Sequence, residues 1–127
     1  MDYGYKRQVK GTFEEVVART RAELKKEGFG VITEIDVQKT VKEKLGEECE
    51  KYMILGACNP PFAYKAILAE RDIGLFMPCN VIVYEHQGKV FVASIKPTLA
   101  MSMTGNKALG PLAEQVETKL KKAVDSL

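Results

Sequence analysis

The sequence holds a single histidine, only three cysteines and no Cys-x-x-Cys pair in its 127 residues. Structural zinc wants four protein ligands, usually delivered as close cysteine pairs, so that architecture is set aside. An odd number of cysteines does not read as a disulfide framework. Cysteine nucleophiles usually rely on a histidine as base, and the one available, His86, is badly placed. Cys79 and His86 lie seven residues apart on one predicted strand, on opposite faces and separated by roughly 23 Å at ~3.3 Å per residue. A papain-like pair and a Cys–His metal site fail together, and no metal or cofactor is expected. No run of ~18 apolar residues occurs, so no membrane span is predicted. The opening residues, Met1-Asp-Tyr-Gly-Tyr-Lys, do not resemble a signal peptide. Both absences point to the cytoplasm, where thiols stay reduced.

Charge is likewise unconcentrated. Nineteen basic and seventeen acidic residues leave a net +2, interspersed rather than in blocks, which argues against a nucleic-acid partner. Gly4, Gly11 and Gly28-Phe-Gly30 lack the spacing of a phosphate-binding loop. The acidic pairs Glu14-Glu15 and Glu47-Glu48 fall on predicted surfaces, with no apolar pocket to raise a carboxyl pKa.

What is present is an ordinary globular composition, 46% apolar and 28% charged, in one predicted domain over residues 1–127. A chain of this length buries roughly two thirds of its unfolded surface. Tyr3 to Val9 alternates as a half-exposed strand, apart from Arg7 on the apolar side. Thr12-Phe-Glu-Glu15 is a capping box, and Phe13, Val16, Val17, Thr20 and Leu24 follow at helical spacing until Gly28. Val31 to Val37 reads as a strand, then residues 37–46 as a solvated surface helix. Tyr52 to Cys58, nearly all apolar, predicts a central strand covered on both sides. Asn59-Pro60 has the look of a helix cap followed by proline at the first helical position, and that helix should run to about Glu70.

Cys79–His86 and Lys89–Ile95 predict a hairpin through Gln87-Gly88, setting His86 opposite Lys89, Tyr84 opposite Phe91 and Ile82 opposite Ala93. Pro97 ends the ladder. Thr98 to Gly105 suggests a helical turn, with Met101 and Met103 filling core gaps. Leu109 to Val124 is a final amphipathic helix. The order β-α-β-α-β-α-β-β-α predicts an α+β, two-layer α/β sandwich, with helices packed on a mixed, mainly antiparallel sheet.

The most distinctive stretch is Ile54-Leu-Gly-Ala-Cys-Asn-Pro-Pro-Phe-Ala-Tyr-Lys-Ala66, then Ile73-Gly-Leu-Phe-Met-Pro-Cys-Asn-Val81, with Met103-Thr-Gly-Asn106 and Leu109-Gly-Pro-Leu-Ala-Glu114 in the tail. This pattern resembles domain of unknown function 302 over essentially the whole chain. The resemblance implies a compact α+β domain and supplies no reaction, cofactor or catalytic residue.

The pair Cys-Asn occurs twice, as Cys58-Asn59 and Cys79-Asn80, each beside a proline. Read singly, Cys58 is a small buried hydrophobe and Asn59 a cap. Lys65, one turn into the helix, and the helix amino terminus would both lower a nearby thiol pKa. Asn80 shares a strand face with Ile82 and Tyr84, so its carboxamide either ties down a loop or faces a ligand. The expected object is a homo-oligomeric binding or sensing module, its pocket lined by Cys58, Asn59, Tyr64, Lys65, Cys79 and Asn80 and open to a small-molecule ligand. Its alternatives are a thiol-dependent enzyme using Cys58 or Cys79 and a purely structural homo-oligomer. The hairpin is apolar on both faces, and the face of Val81, Val83, Val90 and Val92 is expected to need a second subunit as cover, giving a homodimer. Parallel strands would hold the two motifs roughly 20 Å apart, whereas antiparallel strands would bring them to one end. Two copies of a rare dipeptide favour the shared end.

Overall fold

Thr12 Oγ1 accepts from the Glu15 amide at 3.1 Å and starts helix α1 (Phe13–Lys26), which Gly28 terminates at φ +87°. The computed structural model describes every residue, Met1–Leu127. Around α1 are arranged strands β1 (Gly4–Val9), β2 (Gly30–Asp36), β3 (Tyr52–Cys58), β4 (Cys79–His86) and β5 (Lys89–Ile95). The other helices are α2 (Val37–Leu45), α3 (Pro60–Ala69), α4 (Pro97–Ser102) and α5 (Gly110–Asp125), with 3-10 turns at Arg71–Phe76 and Lys107–Leu109. The α+β class holds, and the helical turn expected from Thr98 is α4, which starts at Pro97 and ends at Ser102. None of these helices is long and apolar enough to cross a membrane.

The five strands form one sheet in the order β1-β5-β4-β3-β2. Every neighbouring pair is antiparallel, so the expected mixed sheet is corrected. β1 and β2, joined through α1, run parallel but lie on opposite edges of the sheet, so no parallel pairing arises. Gln87 and Gly88 at φ 52° and 78° make the tight β4–β5 turn, and His86, Tyr84 and Ile82 stand opposite Lys89, Phe91 and Ala93 as the loop length requires. β2 shifts register between Val31 and Thr33, a bulge at Ile32 on the unpaired edge of the sheet.

Two helices cover one face only. α1 and α5 pack on Val81, Val83, Val90 and Val92, which join Leu24, Leu55 and Leu120 in the main core. The expectation that these valines need a second subunit is therefore overturned: both long helices carry their apolar stripes to this face. The opposite face holds Ile54, Ile82, Tyr84 and Phe91, all half-buried, with Tyr52, Tyr84 and Phe91 stacked at 5.5 and 5.2 Å between ring centroids. β3 is thus covered fully on one side and partly on the other. Arg7, the apparent flaw in the first strand, lays Nη1 against the carbonyls of Val124, Asp125 and Leu127 at 2.9–3.0 Å. A cation on those terminal carbonyls stabilises the end of α5 and pins it beside β1.

A second, smaller cluster of buried residues joins Ala66 of α3, Ile73, Met101 of α4, Leu109 and Ala113. Met103, expected in the core beside Met101, is 75% exposed. α4 ends at Ser102 and the chain turns outward there.

Gly56 sits where three segments converge. A Cβ there would lie 2.0 Å from Thr33 Oγ1 and 2.7 Å from Pro78 Cγ. A threonine on β2 can rotate away, but the proline ring cannot. Gly56→Ala should destabilise the protein by about 1–3 kcal/mol through overpacking, read as a lower urea midpoint with unchanged slope. Gly30→Ala, with nothing within 4 Å of its Cβ, should leave the midpoint in place.

Candidate functional site

Antiparallel pairing of β3 with β4 sets Ala57 opposite Cys79. The two Cys-Asn motifs therefore reach the same end of the sheet. Between them the chain leaves the sheet as α3, turns at Arg71–Phe76 and re-enters through a cis Met77–Pro78 bond. α4 closes over this excursion, held because Thr98 donates its amide and hydroxyl to Glu117 Oε1 of α5 at 3.2 and 2.7 Å.

Beneath lies a cavity of about 260 Å³. Its floor is the sheet end, with Ala57, Cys58 and Cys79, and Phe29 and Ile32 flank it from the α1–β2 junction. Phe62, Ala63, Ala66 and Ile67 present one face of α3 to it, while Met101 of α4 with Leu112 and Val116 of α5 close the far side. Ile32 and Ile67, both exposed, mark the mouth. No charged side chain lines it, and Asn59 is the one carboxamide.

Asn59 is only 8% exposed. Its side chain makes no capping bond to α3, contrary to the expected cap. Nδ2 instead donates to the Glu27 carbonyl at 3.2 Å. Proline at the start of α3 removes a donor that a cap would serve, and Gly28 leaves the carboxamide room: a Cβ on Gly28 would stand 3.2 Å from Nδ2. Asn59 therefore ties the end of α1 to the end of β3.

Cys58 and Cys79, half-buried and unbridged, both border the cavity. Burial pushes the Cys79 thiol up to about 11, and the neighbouring Cys58 acts in the same direction. A thiol held protonated at neutral pH is a poor nucleophile. The other expected residues point elsewhere. Tyr64 is 65% exposed and Lys65 also faces solvent, on the side of α3 away from the cavity. Asn80 is exposed and stands opposite Gly56, on the sheet face away from α1 and α5. Its carboxamide meets water rather than an apolar wall, which removes the desolvation argument for a ligand there. His86 sits at the far end of β4, its Nδ1 2.7 Å from Glu50 Oε1. Cys49 is exposed in the loop before β3, and no cluster of three His, Cys, Asp or Glu side chains suited to a metal ion is present.

The α3 face was missed because α3 is apolar on nearly every side, leaving periodicity nothing to select. Its spacing of 62, 63, 66 and 67 was a usable signal once the helix had a known neighbour. Met101, Leu112 and Val116 arrive from beyond the hairpin, and nothing local marks them.

A family model described as "Domain of unknown function DUF302" matches residues 5–127. The chain belongs to the DUF302 family. Among solved structures, an uncharacterised DUF302 protein from Bacillus stearothermophilus is similar over 98% of each chain, at 30% identity and a TM-score of 0.93. No curated protein matches the chain. The DUF302 resemblance read from the Cys-Asn blocks thus holds for family and fold.

The thiols of this DUF302 chain should separate by environment. With Ellman-type reagent at pH 8, exposed Cys49 should react first and Cys79 last. Because the folded Cys79 value is raised above the ordinary 9.0, its contribution to stability is complete below about pH 9 and is lost as pH rises toward 11. Cys79→Val should lose less stability than the wild type between those pH values, read from urea midpoints.

Proposed function

We propose that this DUF302 protein is a small-molecule binding or sensing module whose ligand occupies the cavity at the shared end of β3 and β4. The carrying observation is the cavity itself, about 260 Å³, walled by apolar side chains and reached past Ile32 and Ile67. The pocket opens to solvent between Ile32 and Ile67, so its apolar walls stand against water, and an apolar ligand would remove that surface from it. The thiol-dependent enzyme is the weaker reading. Cys79 is held protonated by burial, and no histidine or carboxylate borders the cavity to act as base. Three free cysteines suit a reducing compartment such as the cytoplasm.

A homodimer is the second reading, favoured by the sheet face that α1 and α5 leave open. Ile54, Ile82, Tyr84 and Phe91 lie there, with Lys6 over the Phe91 ring and donating to the Tyr84 hydroxyl, so a twofold axis would bury a largely apolar surface that carries this one ammonium. α2 stands beside only one end of this face, near Tyr52 and Tyr84.

Both readings have direct tests. The fluorescent probe 1-aminonaphthalene should bind the wild type saturably at one per chain. Ala63→Leu, which extends a cavity wall by three carbons, should weaken it at least tenfold while the melting temperature holds. No saturable binding, or equal binding by Ala63→Leu, would refute the cavity reading. Sedimentation equilibrium should give twice the chain mass of 14.1 kDa at micromolar concentration. A stable monomer there refutes the dimer.

A further inference from the structure

We infer that the cavity selects a neutral, mostly apolar molecule of about ten non-hydrogen atoms that carries one hydrogen-bond donor, and that Asn59 Oδ1 is the group that receives it. This inference rests on the binding reading above and adds the chemical class of the ligand.

Size comes first. A dry apolar cavity of about 150 Å³ takes a benzene ring. On that scale the 260 Å³ here holds about ten non-hydrogen atoms, a fused bicyclic ring or a short-chain phenol. Charge comes next. No lysine, arginine, aspartate or glutamate lines the cavity, so an ionised ligand would lose its hydration with nothing to replace it. The Cys79 thiol does not alter this, since burial keeps it neutral.

Polarity then falls to one side chain. Asn59 is more than nine-tenths buried, borders the cavity, and commits Nδ2 to the Glu27 carbonyl. That carbonyl can only accept, so the amide nitrogen must be the end that faces it. Oδ1 is left at the other end and receives no hydrogen bond from any donor of the chain, neither from α3 that it precedes nor from a side chain. Ser94 Oγ is the one buried side-chain nitrogen or oxygen without a partner, so water reaches Oδ1 in the open pocket. A ligand that displaces this water leaves the oxygen unpaired unless it brings a donor. A ligand hydroxyl or ring N–H would supply that donor, while a second acceptor would meet lone pair against lone pair. The Glu27 bond also holds the carboxamide in place beforehand, so no rotamer is lost on binding.

Indole and indene make the decisive pair: both are bicyclic with nine non-hydrogen atoms, and only indole has an N–H. Titrations of the full chain followed by amide NMR should show indole binding roughly fivefold tighter or better, the ratio expected of one net hydrogen bond. Indole, but not indene, should shift the Asn59 side-chain amide signals, a readout that needs no substitution. Indole-2-carboxylate should bind at least tenfold more weakly than indole. Ala63→Leu should weaken both neutral rings. Equal affinities for indole and indene, both lost in Ala63→Leu, would overturn the donor selection while leaving the binding module standing. Failure of both rings to bind, or binding untouched by Ala63→Leu, would overturn both.

Discussion

The antiparallel register of β3 against β4, with Ala57 facing Cys79, is the constraint from which the candidate site follows. Strands paired this way can be joined by a two-residue turn. Here the join takes twenty residues, Asn59 to Pro78. The excess chain cannot lie within the sheet, so it stands off the sheet end as α3 and the 3-10 turn. Its far side must then be closed by chain that comes later, and α4 and the first turns of α5 do so. A roof built from helices against a floor built from strand ends meets it only at its margins. The space left between them is the cavity.

Fastening is as specific as closure. Asn59 holds the α1 terminus to the start of α3 through the Glu27 carbonyl, and Thr98 holds α4 to α5 through Glu117. Asn106 Nδ2 reaches the Ala69 carbonyl and Glu70 Oε1, both at 2.9 Å, and ties the segment before α5 to the end of α3. Each bond crosses between segments far apart in the chain and spans the rim of the roof. A net hydrogen bond contributes only about 0.5–1.5 kcal/mol. Apolar contact in the smaller cluster therefore carries most of the roof's attachment, and the bonds chiefly fix its orientation.

The sequence was most legible where a single local rule decides. The capping box at Thr12, the positive-φ pair Gln87-Gly88 and the proline after Asn59 each specify an element within a few residues, and each element is where its rule places it. Faces were harder. The hairpin alternates Val81, Val83, Val90 and Val92 with Ile82, Tyr84 and Phe91, and period two cannot say which apolar set meets the helices. The side chains of the site divided the same way. Cys58, Asn59 and Cys79 are held at the cavity by strand ends, whose place follows from pairing. Tyr64 and Lys65 depend on the rotation of α3, which is set by contacts with distant α4 and α5. Asn80 was misjudged with its face. The bond from Asn59 to Glu27 spans thirty-two residues and has no local signature.

The division of the interior into a large cluster under α1 and α5 and a small one under the roof separates two kinds of change. Substitutions at Ala66, Met101 or Leu112 can re-cut the chamber while the strand register and the main core keep their shape. A lineage carrying this fold can change the shape of the chamber through a few roof positions without passing through an unfolded intermediate sequence. The frame is inherited, and the chamber is where descendants can differ.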